Sequence, residues 1–226
     1  MARFNKVQVI TAMQDTGLVP LFYHPDTEVV KQVIKACYDA GIRVFEFTNR
    51  GDYAHQVFNE VNHWAEIECP EMILGVGTVI DEATAALYLQ LGANFVVGTY
   101  FDEQICQVCN KRLVPYCPGC GTPTEINRAQ AHGCDITKVF PADELGGPSF
   151  VANILAPFRW SNIMVSGGVT PEKDNLQRWI QAGAMCVGMG SQLFSEEIIR
   201  QRQWQRISDL CSNALKYIAQ ARLNNT

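Results

Sequence analysis

No stretch of this 226-residue chain approaches the roughly 18 unbroken apolar residues of a membrane span. No Lys/Arg run appears either. With 18 Lys plus Arg against 23 Asp plus Glu the formal net charge is −5, whereas a general binder of nucleic acid or anionic membrane needs a basic face. Neither partner is expected. Charged residues are scarce at 18% against 47% hydrophobic, which excludes a chain disordered throughout. No linker, low-complexity segment or charge block divides the sequence, so residues 1–226 read as one domain. The opening Met1-Ala2-Arg3-Phe4-Asn5-Lys6 leads into mixed polar sequence rather than an apolar signal core, and a cytoplasmic protein is the expectation. Cysteine is not scarce. Nine Cys is an odd number, which in a cytosolic setting implies free thiols rather than a disulfide framework.

What is present is a rhythm. Short apolar runs alternate with longer amphipathic stretches: Val19–Tyr23, Val44–Thr48, Ile73–Thr78, Phe95–Val97, Leu113–Tyr116, Ile136–Phe140, Ile163–Ser166 and Met185–Gly188. Their starts lie 18–29 residues apart, room for a strand, a loop, a helix and a second loop. Between them, Thr27–Ala40 sets Val29, Val30, Val33, Ile34 and Cys37 on one helical face before Gly41. Asp81 opens a helix that ends at Gly92, Thr122-Pro123 caps another, Pro171 and Gly183 bracket a third, and Ser195 to about Leu223 reads as a long final helical region. The runs are nearly continuous in Val, Ile, Leu and Phe, as parallel strands buried on both faces require. Eight strand–helix units predict an α/β fold, a (β/α)8 TIM barrel. Thr11–Thr16 belongs to an extra N-terminal helix that could cap its bottom. A doubly wound open sheet is the alternative, usually with fewer strands.

In a barrel the chemistry sits where strands end. Glu46 lies between Phe45 and Phe47 inside a strand, where an unpaired carboxylate is costly. Lys138, in Ile136-Thr137-Lys138-Val139-Phe140, is the only one of seven Lys set inside an apolar strand. The plain reading is a buried structural ion pair. The functional reading is an amine nucleophile with a carboxylate acid/base. Desolvation by Val139 and Phe140, with Arg50 nearby, disfavours the ammonium, and a neutral amine can attack a carbonyl to form a Schiff base. Glu46 can then move protons. Two glycine loops follow, Ser166-Gly167-Gly168-Val169 and Gly188-Met189-Gly190-Ser191. Each alone is an ordinary tight turn. As a pair on the last two strands, they suit a phosphate held by backbone N–H groups.

These residues carry a resemblance. The motifs are Phe45-Glu46-Phe47-Thr48-Asn49-Arg50, Gly75-Val76-Gly77-Thr78-Val79, Pro118-Gly119-Cys120-Gly121-Thr122-Pro123-Thr124-Glu125, Lys138-Val139-Phe140-Pro141-Ala142 and Ser166-Gly167-Gly168. In this order they resemble the 2-keto-3-deoxy-6-phosphogluconate aldolase / 4-hydroxy-2-oxoglutarate aldolase family, class I aldolases on a trimeric (β/α)8 barrel, from about Val19 to Phe194. The resemblance implies that Lys138 forms the Schiff base and Glu46 is the general acid/base. It implies that Arg50 and Thr78 hold the pyruvate carboxylate, that Phe140 contacts substrate, and that Ser166, Gly167, Gly168, Gly190 and Ser191 bind the distal phosphate. It implies a homotrimer, a phosphorylated keto acid substrate, and no metal or organic cofactor. Two segments depart from the family's usual pattern: Gly98-Thr99-Tyr100 after strand four, and Phe22-Tyr23-His24 on strand one.

The expected reaction is cleavage of a 2-keto-3-deoxy-6-phospho sugar acid to pyruvate and glyceraldehyde 3-phosphate. Alternatives are 4-hydroxy-2-oxoglutarate or 2-keto-3-deoxy-6-phosphogalactonate cleavage, a phosphosugar isomerase or epimerase, and a non-catalytic phosphosugar-binding barrel. Cys106-x-x-Cys109 and Cys117-x-x-Cys120 form a double CxxC, in isolation a zinc or redox motif. In the barrel register the first pair lies along a helix and the second straddles a strand end, so four sulfurs are not expected to converge. Of the four His, His24 alone ends a strand and could touch substrate. The four Trp read as packing residues.

Overall fold

A computed structural model describes residues 2–223. The chain runs α1 (Lys6–Thr16), β1 (Leu18–Phe22), α2 (Thr27–Asp39), β2 (Val44–Thr48), α3 (Ala54–Glu68), β3 (Ile73–Val79), α4 (Glu82–Gln90), β4 (Val96–Gly98), α5 (Glu103–Lys111), β5 (Tyr116–Cys117) and β6 (Gly119–Cys120). It continues α6 (Pro123–Ala131), β7 (Ile136–Val139), α7 (Gly147–Leu155), β8 (Asn162–Ser166), α8 (Lys173–Gln181), β9 (Cys186–Met189), α9 (Glu196–Arg200) and α10 (Trp204–Leu223). The strand order is β5-β4-β3-β2-β1-β9-β8-β7-β6, and every described pairing is parallel. The two ends of that order, β5 and β6, are joined by the single residue Pro118. They occupy one position of the wall, so the strands form a nearly closed (β/α)8 barrel. Pro118 divides the strand because it has no N–H to give the ladder. Its carbonyl still accepts from Lys138 N at 2.8 Å.

Local chemistry accounts for the helices. In α2, Asp26 accepts from Glu28 N at the N-cap, and Val29, Val30, Val33, Ile34 and Cys37 are buried, each large side chain contributing roughly 1.5–3 kcal/mol by leaving water. Thr122 caps α6, with Pro123 in its first turn. Two expectations shift. The fifth run, Leu113–Tyr116, is mostly not strand: Leu113 has φ +55° and is exposed, and pairing starts only at Tyr116. The final helical region breaks into α9 and α10, with Arg202 at φ +52° between them.

The barrel interior follows from the two-residue period of a strand. Val19, Val44, Ile73, Phe95, Ile136, Met164 and Cys186 form one inner apolar cluster, closed by Val9 and Met13 of α1. The N-terminal helix is thus a plug; it includes Thr11–Thr16 and starts at Lys6. It is tied down by Asn94, which is fully buried. Asn94 Oδ1 accepts from Arg3 N at 2.8 Å and Phe4 N at 3.0 Å, and its Nδ2 donates to Leu74 O at 2.9 Å. Asn94→Ala leaves the two amide donors without this acceptor. It is expected to cost about 2–4 kcal/mol of stability in urea unfolding.

Candidate active site

Residues two positions above the apolar floor face the same interior. From Val44 the next inward residue is Glu46, from Ile136 it is Lys138, and from Met164 it is Ser166. Glu46 is 1% exposed and Lys138 6%. Lys138 Nζ lies 4.9 Å from the centre of the Phe140 ring. Glu46 Oε2 is buried without a hydrogen-bond partner. Burial raises the Glu46 carboxyl above the usual carboxylate range, while Lys138 and Arg50 pull it back down. One acid and one amine are therefore buried close enough to interact, with the acid held toward its neutral form.

On β3, the strand paired with that of Glu46, the wall is made of absent side chains. A Cβ at Gly77 would stand 1.7 Å from Glu46 Oε1, and one at Gly75 would stand 2.4 Å from the Phe95 ring. The two glycines, spaced two apart on β3, leave room for the carboxylate above and for the aromatic floor below. In the sequence, the signal for the role of Gly77 is a glycine set inside a strand beside a buried charge. Cys117 on β5 is fully buried, and desolvation holds its thiol well above the ordinary value, with Cys186, Glu46 and Lys138 among its charged or polar neighbours.

Above this level the mouth opens. The β3–β4 register shifts between Val76 and Val79, and Thr78 within the shift has φ +60°. Arg50 Nε donates to Thr78 Oγ1 at 3.4 Å. The two residues assigned to the substrate carboxylate are thus brought together, with Arg50 exposed. Phe140 is 38% exposed at the rim.

The glycine loops adjoin but are explained first by packing. Gly167 and Gly168 have φ +94° and +75°, a conformation that favours glycine. A Cβ on Gly168 would stand 2.3 Å from Asp143 Cβ. Ser166 O accepts from Ala142 N at 2.9 Å, joining this loop to the one after β7. At Gly190 a Cβ would meet Leu21 Cδ1 at 2.8 Å, so the missing side chain there makes room for a barrel residue. Ser166 is buried, whereas Ser191 is exposed beyond β9. His24 Nδ1 accepts from Asp26 N at 3.0 Å, which ties its ring to the start of α2.

The double CxxC divides as the barrel register requires. Cys106 and Cys109 lie on α5, while Cys117 and Cys120 lie on β5 and β6. Among the described residues, no group of three or more His, Cys, Asp or Glu is arranged to hold a metal ion, and no helix is long and apolar enough to cross a membrane.

The family model described as "Aldolase: KDPG and KHG aldolase" matches residues 9–210. The chain belongs to the KDPG and KHG aldolase family. It is an aldolase, a carbon–carbon lyase. It is 25% identical over 212 residues to the 2-dehydro-3-deoxy-phosphogluconate aldolase of Treponema pallidum, covering 94% of this chain and 98% of that protein. It is 26% identical over 200 residues to the KHG/KDPG aldolase of Escherichia coli K12, covering 88% and 91%. Among solved structures, a KDPG aldolase from Legionella pneumophila, captured with pyruvate as a covalent carbinolamine, superposes with a TM-score of 0.82 at 23% identity, covering 91% of this chain and 97% of that one. That likeness speaks for the fold. So does a thiamine phosphate pyrophosphorylase from Pyrococcus furiosus, with a TM-score of 0.69 at 13% identity over 92% of this chain and 98% of that one.

The raised carboxyl of Glu46 has a stability consequence. A folded-state pKa above the unfolded value of about 4.3 means that the folded state holds the proton more tightly, so stability falls as pH rises from the unfolded value through the folded one. Glu46→Gln removes this dependence. Relative to wild type, its thermal midpoint is expected to rise as the pH is raised above about 4.3, as followed by circular dichroism.

Proposed function

We propose that this aldolase works through a lysine Schiff base on Lys138, with Glu46 as the proton shuttle. The observation that carries the reading is the pairing of two ionisable side chains one layer above an apolar floor, with one carboxylate oxygen of Glu46 left without a partner. Such a compartment suits an imine, because burial holds the Glu46 carboxyl toward the neutral acid that can deliver a proton.

Lys138 Nζ attacks the C2 ketone of a 2-keto-3-deoxy sugar acid, and water leaves to give a protonated imine, which serves as the electron sink. Glu46, left as a carboxylate once it has protonated the hydroxyl that departs as water, takes the proton of the C4 hydroxyl. The C3–C4 bond breaks, releasing an aldehyde and leaving an enamine of pyruvate on Lys138. Protonation of the enamine carbon and hydrolysis of the imine release pyruvate and restore the amine. Arg50 and Thr78 hold the pyruvate carboxylate at the mouth, with the Phe140 ring beside it. We assign the distal phosphate to Ser166, Gly167, Gly168, Gly190 and Ser191, where backbone N–H groups can meet a dianion without a Lys or Arg. The substrate is then a 6-phosphorylated keto acid and the aldehyde product is glyceraldehyde 3-phosphate. The working unit is a single barrel over residues 1–226, assembled as a cytoplasmic homotrimer and using neither metal nor organic cofactor.

Pyruvate with borohydride is expected to add one pyruvyl group per chain on Lys138, read by intact mass and peptide mapping. Label that persists in Lys138→Ala removes the assignment. Glu46→Gln is expected to keep the trapped adduct while losing turnover by roughly 10²–10⁴-fold.

The phosphate assignment is tested on wild type, since a side chain at Gly190 would strike Leu21 and disturb packing instead. Pyruvate release is compared for 2-keto-3-deoxy-6-phosphogluconate, its galactonate epimer, the unphosphorylated acid and 4-hydroxy-2-oxoglutarate. A kcat/KM at least tenfold higher for a phosphorylated acid is expected, with Ser191→Ala reducing that preference. Equal or better turnover of 4-hydroxy-2-oxoglutarate transfers the function to that substrate.

A further inference from the structure

All nine cysteines are free and buried, and four of them form two sulfur–sulfur contacts. Cys37 on α2 and Cys211 on α10 approach to 3.9 Å. Cys106 on α5 and Cys134, in the turn before β7, approach to 3.6 Å. Neither contact follows the double CxxC spacing: the fold gives Cys106 a partner 28 residues away rather than Cys109.

The surroundings separate the two pairs. Cys37 lies in apolar core, and burial, then Cys211, push its thiol well above the ordinary value. Such a thiol is a poor nucleophile. Cys106 has polar company. Asn110 Nδ2 donates to its Sγ at 3.4 Å, and His132 O lies 3.3 Å away as an acceptor for the thiol proton. The Cys134 contact, His132, Asn110 and Lys6 together outweigh burial and lower the Cys106 thiol to about 7, while Cys134 is displaced upward. One sulfur thus leans toward the thiolate relative to an ordinary cysteine, with a second thiol 3.6 Å away to resolve whatever forms on it. The cover over them is thin, because Gly133 between His132 and Cys134 is exposed.

We propose that Cys106 and Cys134 form an oxidative modification site whose reactant is a small peroxide and whose product is a reversible disulfide between α5 and the turn leading into β7. The Cys106 thiolate attacks one peroxide oxygen. The O–O bond breaks, leaving a sulfenic acid and a hydroxide that takes a proton. Cys134 sulfur then attacks the sulfenic sulfur, the S–S bond forms, the S–OH bond breaks, and water leaves with the Cys134 proton. Two thiols lose two electrons, and one hydrogen peroxide becomes two waters. Sulfurs already in van der Waals contact need to move about 1.5 Å to reach bonding distance. The disulfide would fasten the base of β7, the strand that carries Lys138.

The test treats reduced, folded protein with a few equivalents of hydrogen peroxide, then counts thiols after denaturation. The expected count falls from nine to seven, with a mass loss of about 2 Da and one cross-linked peptide joining Cys106 to Cys134; dithiothreitol restores the starting state. Cys134→Ser is expected to stop at a dimedone-reactive sulfenic acid on Cys106, and Cys106→Ser to lose both products. Nine thiols with unchanged mass, a cross-link at Cys37–Cys211, or undiminished oxidation in Cys106→Ser would each overturn the proposal. The mapping on wild type stands whether or not either variant folds.

Discussion

A carboxylate and an amine buried together on an apolar floor set the terms for the rest of this molecule. Water would otherwise solvate both groups, and the barrel interior offers each only the other and a few polar neighbours. Removing that water costs free energy. The cost is concentrated on Glu46, whose carboxyl is raised by burial despite two nearby cations. The floor is what makes it dry. Val44, Ile136 and Met164 stand directly below the functional layer, and Val9 and Met13 of α1 seal it from beneath. The N-terminal helix lies at the end of the barrel opposite Arg50 and Thr78, and its Val9 and Met13 close the apolar layer beneath Glu46 and Lys138.

The same constraint shapes the walls. A charged side chain needs volume that neighbouring strands must give up, and β3 does so with Gly75 and Gly77. Thr78, in the left-handed region within the β3 irregularity, stands next to Arg50 at the rim. Pro118 interrupts the ladder beside β7, but its carbonyl receives Lys138 N and keeps that strand in register. The left-handed backbone of Thr78, two missing side chains and a missing N–H thus stand beside the Glu46–Lys138 layer, while α2, α8 and α10 pack together in the outer layer.

The cysteines illustrate how far spacing can mislead. Two CxxC pairs within fifteen residues of chain (106–120) invite a metal or redox reading. In the fold, one pair follows a helix and the other flanks a proline in the wall. The sulfur that meets Cys106 comes from the turn after α6, a proximity that arises because α5 and the β7 approach are neighbours in the barrel.

Period and punctuation in the sequence were enough for the fold class. Eight apolar runs at near-regular spacing, several followed by a helix cap and a glycine stop, admit few arrangements other than a barrel, because parallel strands buried on both faces must be nearly continuous in apolar residues. The oddity of Glu46 and Lys138 was legible for the same reason: in such a strand a charge stands out. Less was legible where conformation overrides composition. Leu113 looks like strand and is a turn, since an apolar residue at φ +55° leaves no mark in the sequence, and the break between α9 and α10 is equally silent. The contacts themselves belong to the tertiary structure. Which glycine makes room for Glu46, which side chain stands at Gly190, and which thiol meets Cys106 are distances between residues far apart in the chain. Only closure of the barrel, which places each strand between two particular neighbours at one register, could decide them.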